Sequence, residues 1–231
     1  MDSVIDMSAA RALVGDAALW PQVRAFLWDF SPQVHGSWLE GLFPEEGVGP
    51  LVRRLSASPR VKSFVLSSLG VKPVFHVFPK DDWSRLALLD GATLLDVAKW
   101  LGAVACCDRL RFVTKGADVR ALKAELSGVY PEVFSYTMYF GGLDLGFADA
   151  PGEDAQSRSA LSEEVVSTGV SIVFSLLSGI PEGVVSRLAL KLPKALGAAA
   201  HPRGMKKPGD AAKSIRKILK LKFPEAYKLC C

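Results

Sequence analysis

Apolar residues recur at intervals of three and four along most of the chain, the spacing of helices that bury one face. The longest such stretch spans residues 92–114. At about 100° per residue, Leu94, Val97, Ala98, Leu101, Ala105 and Phe112 share one stripe. Asp96 and Lys99 fall on the other side. Asp90-Gly91 breaks the chain before this helix. Lys115-Gly116 ends it, with the glycine free to take a left-handed cap conformation. Asp108 and Arg109 lie beside the apolar stripe. Either the last turns leave the core and keep both charges in water, or the two form a desolvated pair that fixes how another helix docks. The second case requires full hydrogen bonding.

Around this helix the pattern predicts several more. Residues 8–14 form a short first helix. Residues 20–30 carry Val23, Phe26, Leu27 and Phe30 inward, with Pro21 in the first turn and Ser31-Pro32 as the stop. The aromatic stretch 30–44 is too irregular for one helix, and 47–50 is a loop. Ser58 suits an N-cap and Pro59 the first position of a helix that turns Val61, Phe64, Val65 and Leu69 inward and ends at Gly70. Residues 71–80, VKPVFHVFPK, form the one strand-like run, an extended or hairpin segment bounded by Pro73 and Pro79. Asp81 or Asp82 caps a short helix to Leu89. Helices follow at 117–127, 131–140, 157–178 and 181–190, then a connector at 192–209 and a tail helix at 210–223. Helix follows helix, so the fold class is all-α, an irregular multi-helix bundle. The expected organisation is one helical domain over 1–231. The glycine-rich, acidic stretch 141–156 is the candidate hinge, and a basic C-terminal tail covers 203–231.

Charge changes this picture at one end only. The chain carries a net +4. Residues 203–231 hold nine Lys or Arg against two acids, a surplus of seven, which leaves −3 on residues 1–202. A mildly acidic body thus bears a basic tail, which speaks of partners rather than fold. On the tail helix Ala211, Ala212, Ile215, Ile218 and Leu219 form one stripe, and Lys213, Arg216, Lys217 and Lys220 line the other face. No uncharged apolar run reaches the roughly 20 residues of a membrane span. The run 165–180 is uncharged but carries four serines and a threonine, and reads as a buried core helix. The N-terminus has no basic segment followed by an apolar block, so no secretory signal is expected. The four cysteines are two adjacent pairs without CxxC spacing, which points to free thiols in a reducing cytosol.

Little in the chain suggests chemistry. His35, His76 and His201 sit in separate turn-rich contexts with no second ligand at helical or hairpin spacing, so no metal site is expected. There is no P-loop, dinucleotide fingerprint or nucleophile elbow. The acid pairs Glu45-Glu46, Asp81-Asp82 and Glu163-Glu164 suit helix starts or solvated loops. No catalytic residue, cofactor or small-molecule substrate is expected.

Three stretches in order resemble the SctK family, the YscK-like accessory subunits of the type III secretion sorting platform. Phe30-Ser31-Pro32-Gln33-Val34-His35-Gly36-Ser37-Trp38-Leu39 resembles its Phe-x-Pro stretch, followed by a His and a short hydrophobic helix. Leu94-Leu95-Asp96-Val97-Ala98-Lys99-Trp100-Leu101-Gly102 resembles its leucine-rich core helix. Arg187-Leu188-Ala189-Leu190-Lys191-Leu192-Pro193 resembles its basic RL-x-L-[KR]-LP run. Length and order agree over most of the chain. The glycine-rich 141–156 loop and the Cys-Cys ending depart from the pattern.

The resemblance implies a cytoplasmic, non-enzymatic adaptor at the cytoplasmic face of the bacterial inner membrane. It would link the inner-membrane ring protein (SctD-like) to the pod protein (SctQ-like) in protein export. From the residues themselves, two surfaces are candidates for partner binding. One is Lys213, Arg216, Lys217 and Lys220. The other is Phe30, Pro32, His35 and Trp38, where plain core packing competes for Phe30 and Trp38. The alternative function is a helical protein bound to nucleic acid or an acidic membrane through the same tail. The tail's only aromatics, Phe223 and Tyr227, make a poor stacking platform for bases.

Overall fold

The computed structural model describes residues 17–43, 51–52, 54–55, 58–72, 74, 76–80, 82–126, 128–140, 158–199 and 208–230. The helix expected at 8–14, the loop at 47–50, the whole stretch 141–156 with its hinge, and Cys231 lie outside them. The described residues are mainly helical and include no strand. The described residues of the 71–80 run are non-helical and pair with no second strand among the described residues; Phe78 inserts into the core, 0% exposed.

Contacts divide the chain into two compact units. The first holds residues 1–91, 179–198 and 229–231, and the second holds 92–178 and 199–228. In the first unit, α1 (Trp20–Trp28) has Pro21 in its opening turn and buries Val23 and Phe26. A 3₁₀ turn, Ser31–Gln33, follows, then α2 (Gly36–Leu42). α3 (Pro59–Ser68) starts after Ser58, and Gly70 closes it at φ 65°, a value that favours glycine. Its Val65 is buried, but Phe64, expected inward, is 56% exposed. Phe64 lies at the edge of the apolar stripe, and its ring rests on Phe43 at 5.9 Å. Asp82 caps the 3₁₀ helix Trp83–Leu88, accepting from the Ser84 N–H at 2.6 Å. The first unit also contains α9 (Glu182–Lys191) and α10 (Lys194–Ala198), the latter in what the pattern read as a plain connector.

In the second unit, the long helix expected at 92–114 is two helices. α4 (Gly91–Ala105) ends at a turn on Cys106, and α5 (Cys107–Arg111) follows. The break resets the helical phase. Leu94, Val97, Ala98 and Leu101 are buried as expected, but Phe112 beyond the break is 84% exposed. Gly116 is not a left-handed cap; it opens α6 (Gly116–Glu125). α7 (Val129–Phe140) and α8 (Arg158–Leu176) follow. α8 is the buried helix anticipated from 165–180, with Val165, Ile172 and Val173 at 1% exposure or less. α11 (Pro208–Lys222) and α12 (Pro224–Cys230) are the last described helices, with Leu229 and Cys230 of α12 counted in the first unit.

Asp108 and Arg109 take neither of their anticipated roles together. Asp108 is exposed and lies 3.5 Å from Arg111, an exposed pair that contributes little. Arg109 is half-buried and pairs with Glu164 of α8, so it helps seat α8 with a partner from another helix. Cys107 Sγ lies 3.1 Å from the Thr137 hydroxyl, and Arg111 donates to the same hydroxyl at 3.0 Å, tying α5 to α7. Cys106, Cys107 and Cys230 are buried and form no disulfide among the described residues. These three thiols are expected to react with a thiol reagent only after denaturation; stoichiometric labelling of them in native buffer within minutes would contradict that burial.

Candidate functional site

The sequence of α9 places Arg187 and Lys191 four residues apart, on the same face as the buried Val184 and Leu188. Both cations are inside the first unit, at 3% and 2% exposure. Arg187 donates to the carbonyls of Phe26, of Leu27 at 2.8 Å and of Lys72 at 3.3 Å. Its guanidinium stands 5.5 Å from the Phe30 ring and 5.8 Å from Phe26, within cation–π range. Lys191 Nζ donates to Ala87 at 2.6 Å and Leu89 at 2.8 Å, with the Phe26 ring 5.0 Å away. Burial lowers its ammonium to about 7, with Asp90 opposing. Burial also lowers Arg187. Arg85, 4% exposed, donates to Phe78 and to Leu229 at 3.2 Å each. These hydrogen bonds of Arg85, Arg187 and Lys191 all go to backbone carbonyls. Such carbonyls, at the ends of helices or in non-helical chain, need donors where they are buried. The cations are those donors.

These contacts bring two of the family-like stretches together. The His35 N–H donates to Leu190 O at 2.8 Å. Trp38 Nε1 donates to Leu192 O at 2.9 Å, and the Lys194 N–H donates to the Ser37 hydroxyl at 2.8 Å. The third stretch lies in α4, where Gly102 packs directly on the backbone of α8.

The first candidate surface therefore divides. Phe30 is 1% exposed and packs edge-to-face on Phe26 at 5.6 Å. Trp38 is half-buried and held by Leu192. His35 is exposed and caps α2, its Nδ1 accepting from the Ser37 N–H at 3.2 Å. Pro32 is exposed. Only Pro32 and His35 are presented outward. The cationic surface is intact: Lys213, Arg216, Lys217 and Lys220 are all exposed on α11, while Ala211, Ile215, Ile218 and Leu219 are buried beneath them. The four lie within eight residues, a stripe of about 10 Å. Lys220 also sits 6.0 Å from the Tyr227 ring, and Lys222 pairs with Glu132 and stacks 4.7 Å over Trp100.

Arg85, Arg187 and Lys191 were not singled out from sequence. A signal existed for two of them, since Arg187 and Lys191 fall in the middle of α9's apolar stripe. Cations there are either exposed by a break or fully satisfied inside.

Among the described residues no group of three or more His, Cys, Asp or Glu could hold a metal ion, and no helix is long and apolar enough to cross a membrane. What the arrangement offers is shape, a charged helix face and buried cation anchors: the features of a helical scaffold. The profile of the family described as YOP proteins translocation protein K (YscK) matches residues 32–231, nearly the whole chain. The chain belongs to that family, the SctK family, and is a type III secretion protein. The family is one of secretion accessory proteins and is not a known enzyme family. No curated protein and no solved structure matches the chain significantly.

Proposed function

We propose that the protein is a cytoplasmic, non-enzymatic adaptor of the type III secretion sorting platform. It links the inner-membrane ring protein (SctD-like) to the pod protein (SctQ-like) at the cytoplasmic face of the inner membrane. The observation that carries this reading is the extent of the family match, residues 32–231, on a chain built as a helical scaffold. The cationic face of α11 supports a dock for an acidic partner. Electrostatic complementarity of this kind speeds encounter and fixes register.

Reversing Lys213, Arg216, Lys217 and Lys220 to Glu is expected to weaken a partner complex at least tenfold at low salt, mainly through slower association. The helix should persist, because its buried stripe is untouched. Unchanged affinity at low salt in a calorimetric or surface-plasmon titration rejects the tail contact. The adaptor role itself is tested by purifying the tagged protein from its native cells with nuclease present, read by mass spectrometry. Recovery of ring and pod proteins supports it. Loss of every partner with nuclease transfers the function to nucleic-acid binding through the tail.

A further inference from the structure

The outward stripe of α11 is built from one sign of charge. Residues 211–222 hold five cations and no acid. Lys213, Arg216, Lys217 and Lys220 stand at i, i+3, i+4 and i+7. Along a helix axis that spacing puts the charges at about 0, 4.5, 6 and 10.5 Å, a ladder that reads the same from either end. It also makes four like-charge pairs within helical reach: Lys213 with Arg216, Lys213 with Lys217, Arg216 with Lys220 and Lys217 with Lys220. Each such pair destabilises the helix that bears it. Solubility does not call for this arrangement, because a surface of mixed signs serves it without the repulsion. Lys213 and Arg216 also interact within the protein, yet all four side chains remain exposed. Beside Lys217, about 40° further round the helix, Leu221 is 52% exposed.

The ladder discriminates among anionic surfaces. A lipid surface takes up an interfacial helix by its apolar face. That face of α11, with Ala211, Ile215, Ile218 and Leu219 at 3% exposure or less, is already buried in the protein. A stripe of about 10 Å spans only about three phosphates of one nucleic-acid strand, too few for firm binding. An extended acidic segment brings alternate side chains to one face at intervals of about 6.6 Å, out of step with the cations. A helix with carboxylates at i, i+3, i+4 and i+7 carries the identical ladder. The cations of α11 lie toward its C-terminus, and carboxylates are favoured toward the N-terminus of their own helix, so the dipoles favour antiparallel packing.

We infer that α11 docks lengthwise on an acidic helix of a partner protein. That helix runs antiparallel to α11, with carboxylates at i, i+3, i+4 and i+7 facing the four cations and an apolar side chain at its flank covering Leu221. This deepens the α11 dock proposed above and rests on the adaptor reading only in expecting a protein as occupant.

The test places the photocrosslinker p-benzoylphenylalanine at Leu221 of the full chain in its native cells, with nuclease present after lysis, and maps the crosslinked peptide by mass spectrometry. The expected product is one helical segment with acids at that spacing. Lys217→Glu with Lys220→Glu should reduce the product at least tenfold while the melting temperature holds, because each glutamate gains Lys213 or Arg216 as an i+4 neighbour. Lys at the mapped acidic positions of the partner should restore the product with the reversed chain. A segment without the ladder, a product of lipid or nucleic acid, a second copy of this chain, insensitivity to the reversal, or no crosslink would each overturn the inference. Recovery of ring and pod proteins with the tagged chain, alongside any of those outcomes, leaves the adaptor reading standing without this dock. A matching acidic helix from some other protein upholds the dock and removes the adaptor's proposed partners.

Discussion

Gly169→Ala is expected to lower the melting temperature of the protein by roughly 6–12 °C, taking about 3 kcal/mol for the substitution and ~2–4 °C per kcal/mol at this chain length. The reason is geometric. A Cβ at Gly169 of α8 would lie 1.7 Å from the Ala98 carbonyl oxygen of α4, and one at Gly102 of α4 would lie 1.8 Å from the Val165 oxygen of α8. Both obstacles are backbone, which cannot rotate aside as a side chain would. The helices must separate, and the contacts around Ala98 and Val165 loosen along the crossing. Gly102→Ala should therefore match Gly169→Ala. Because either change alone already forces the separation, the double variant should lose less than twice as much. Gly116→Ala is the internal control. That glycine opens α6 with only the Arg120 side chain nearby, at 3.7 Å, so alanine there should be neutral or stabilise by a few tenths of a kcal/mol through helix propensity. A drop below about 2 °C for Gly169→Ala would show that α4 and α8 have room to spare.

This crossing illustrates what the chain does and does not disclose before it is folded. The apolar spacing of α4 identified Leu94, Val97, Ala98 and Leu101 as buried, and they are. It did not identify Gly102 and Gly169 as a contact, because glycine adds no apolar signal and the two positions are far apart in sequence. Local punctuation was legible at several turns, where Ser58 and Pro59 start α3, Gly70 ends it and Asp82 caps the turn after it, but not at Gly116, which opens a helix instead of capping one. It failed at Cys106, where no glycine or proline marks the break, and so Phe112 was assigned to a face it does not share. Of the candidate sites, the α11 face was legible because amphipathic periodicity separates Ile215, Ile218 and Leu219 from the lysines. The Phe30–Trp38 surface was only half legible, since an aromatic near a proline gives the same pattern whether it meets the core or a partner. The contact of α3 with the Ser31–Gln33 turn is a tertiary event that no spacing encodes.

Lys191→Met is expected to destabilise the protein by a margin that widens as pH rises above 7. The methionine keeps the length and packing of the lysine stem but leaves the Ala87 and Leu89 carbonyls without their donor, at about 1–3 kcal/mol each. In the native protein burial holds the Lys191 ammonium near 7, against 10.5 for an ordinary lysine. Between those values the unfolded chain binds a proton that the folded chain has released. Stability conferred by this residue therefore rises with pH across that window, by up to about 1.4 kcal/mol per pH unit, and is lowest below pH 7, where both states carry the charge. The neutral amine still has two N–H groups for its two carbonyls, so deprotonation does not open the site. Methionine has no proton to lose, so the difference between the two proteins isolates the titration. Denaturant midpoints measured for both from pH 6 to 9.5, with unchanged slopes, provide the check. A difference that grows with pH supports a lysine neutralised by burial. A constant difference would mean that two carbonyls, the Phe26 ring and Asp90 together hold the ammonium charged. Arg187 provides the contrast on the same helix: its guanidinium stays protonated throughout this range, so Arg187→Met should cost stability without any pH slope of its own. The two cations of the RL-x-L-K-LP stretch thus do one mechanical job with different chemistry, and of the two only the lysine adds a pH dependence to the first unit.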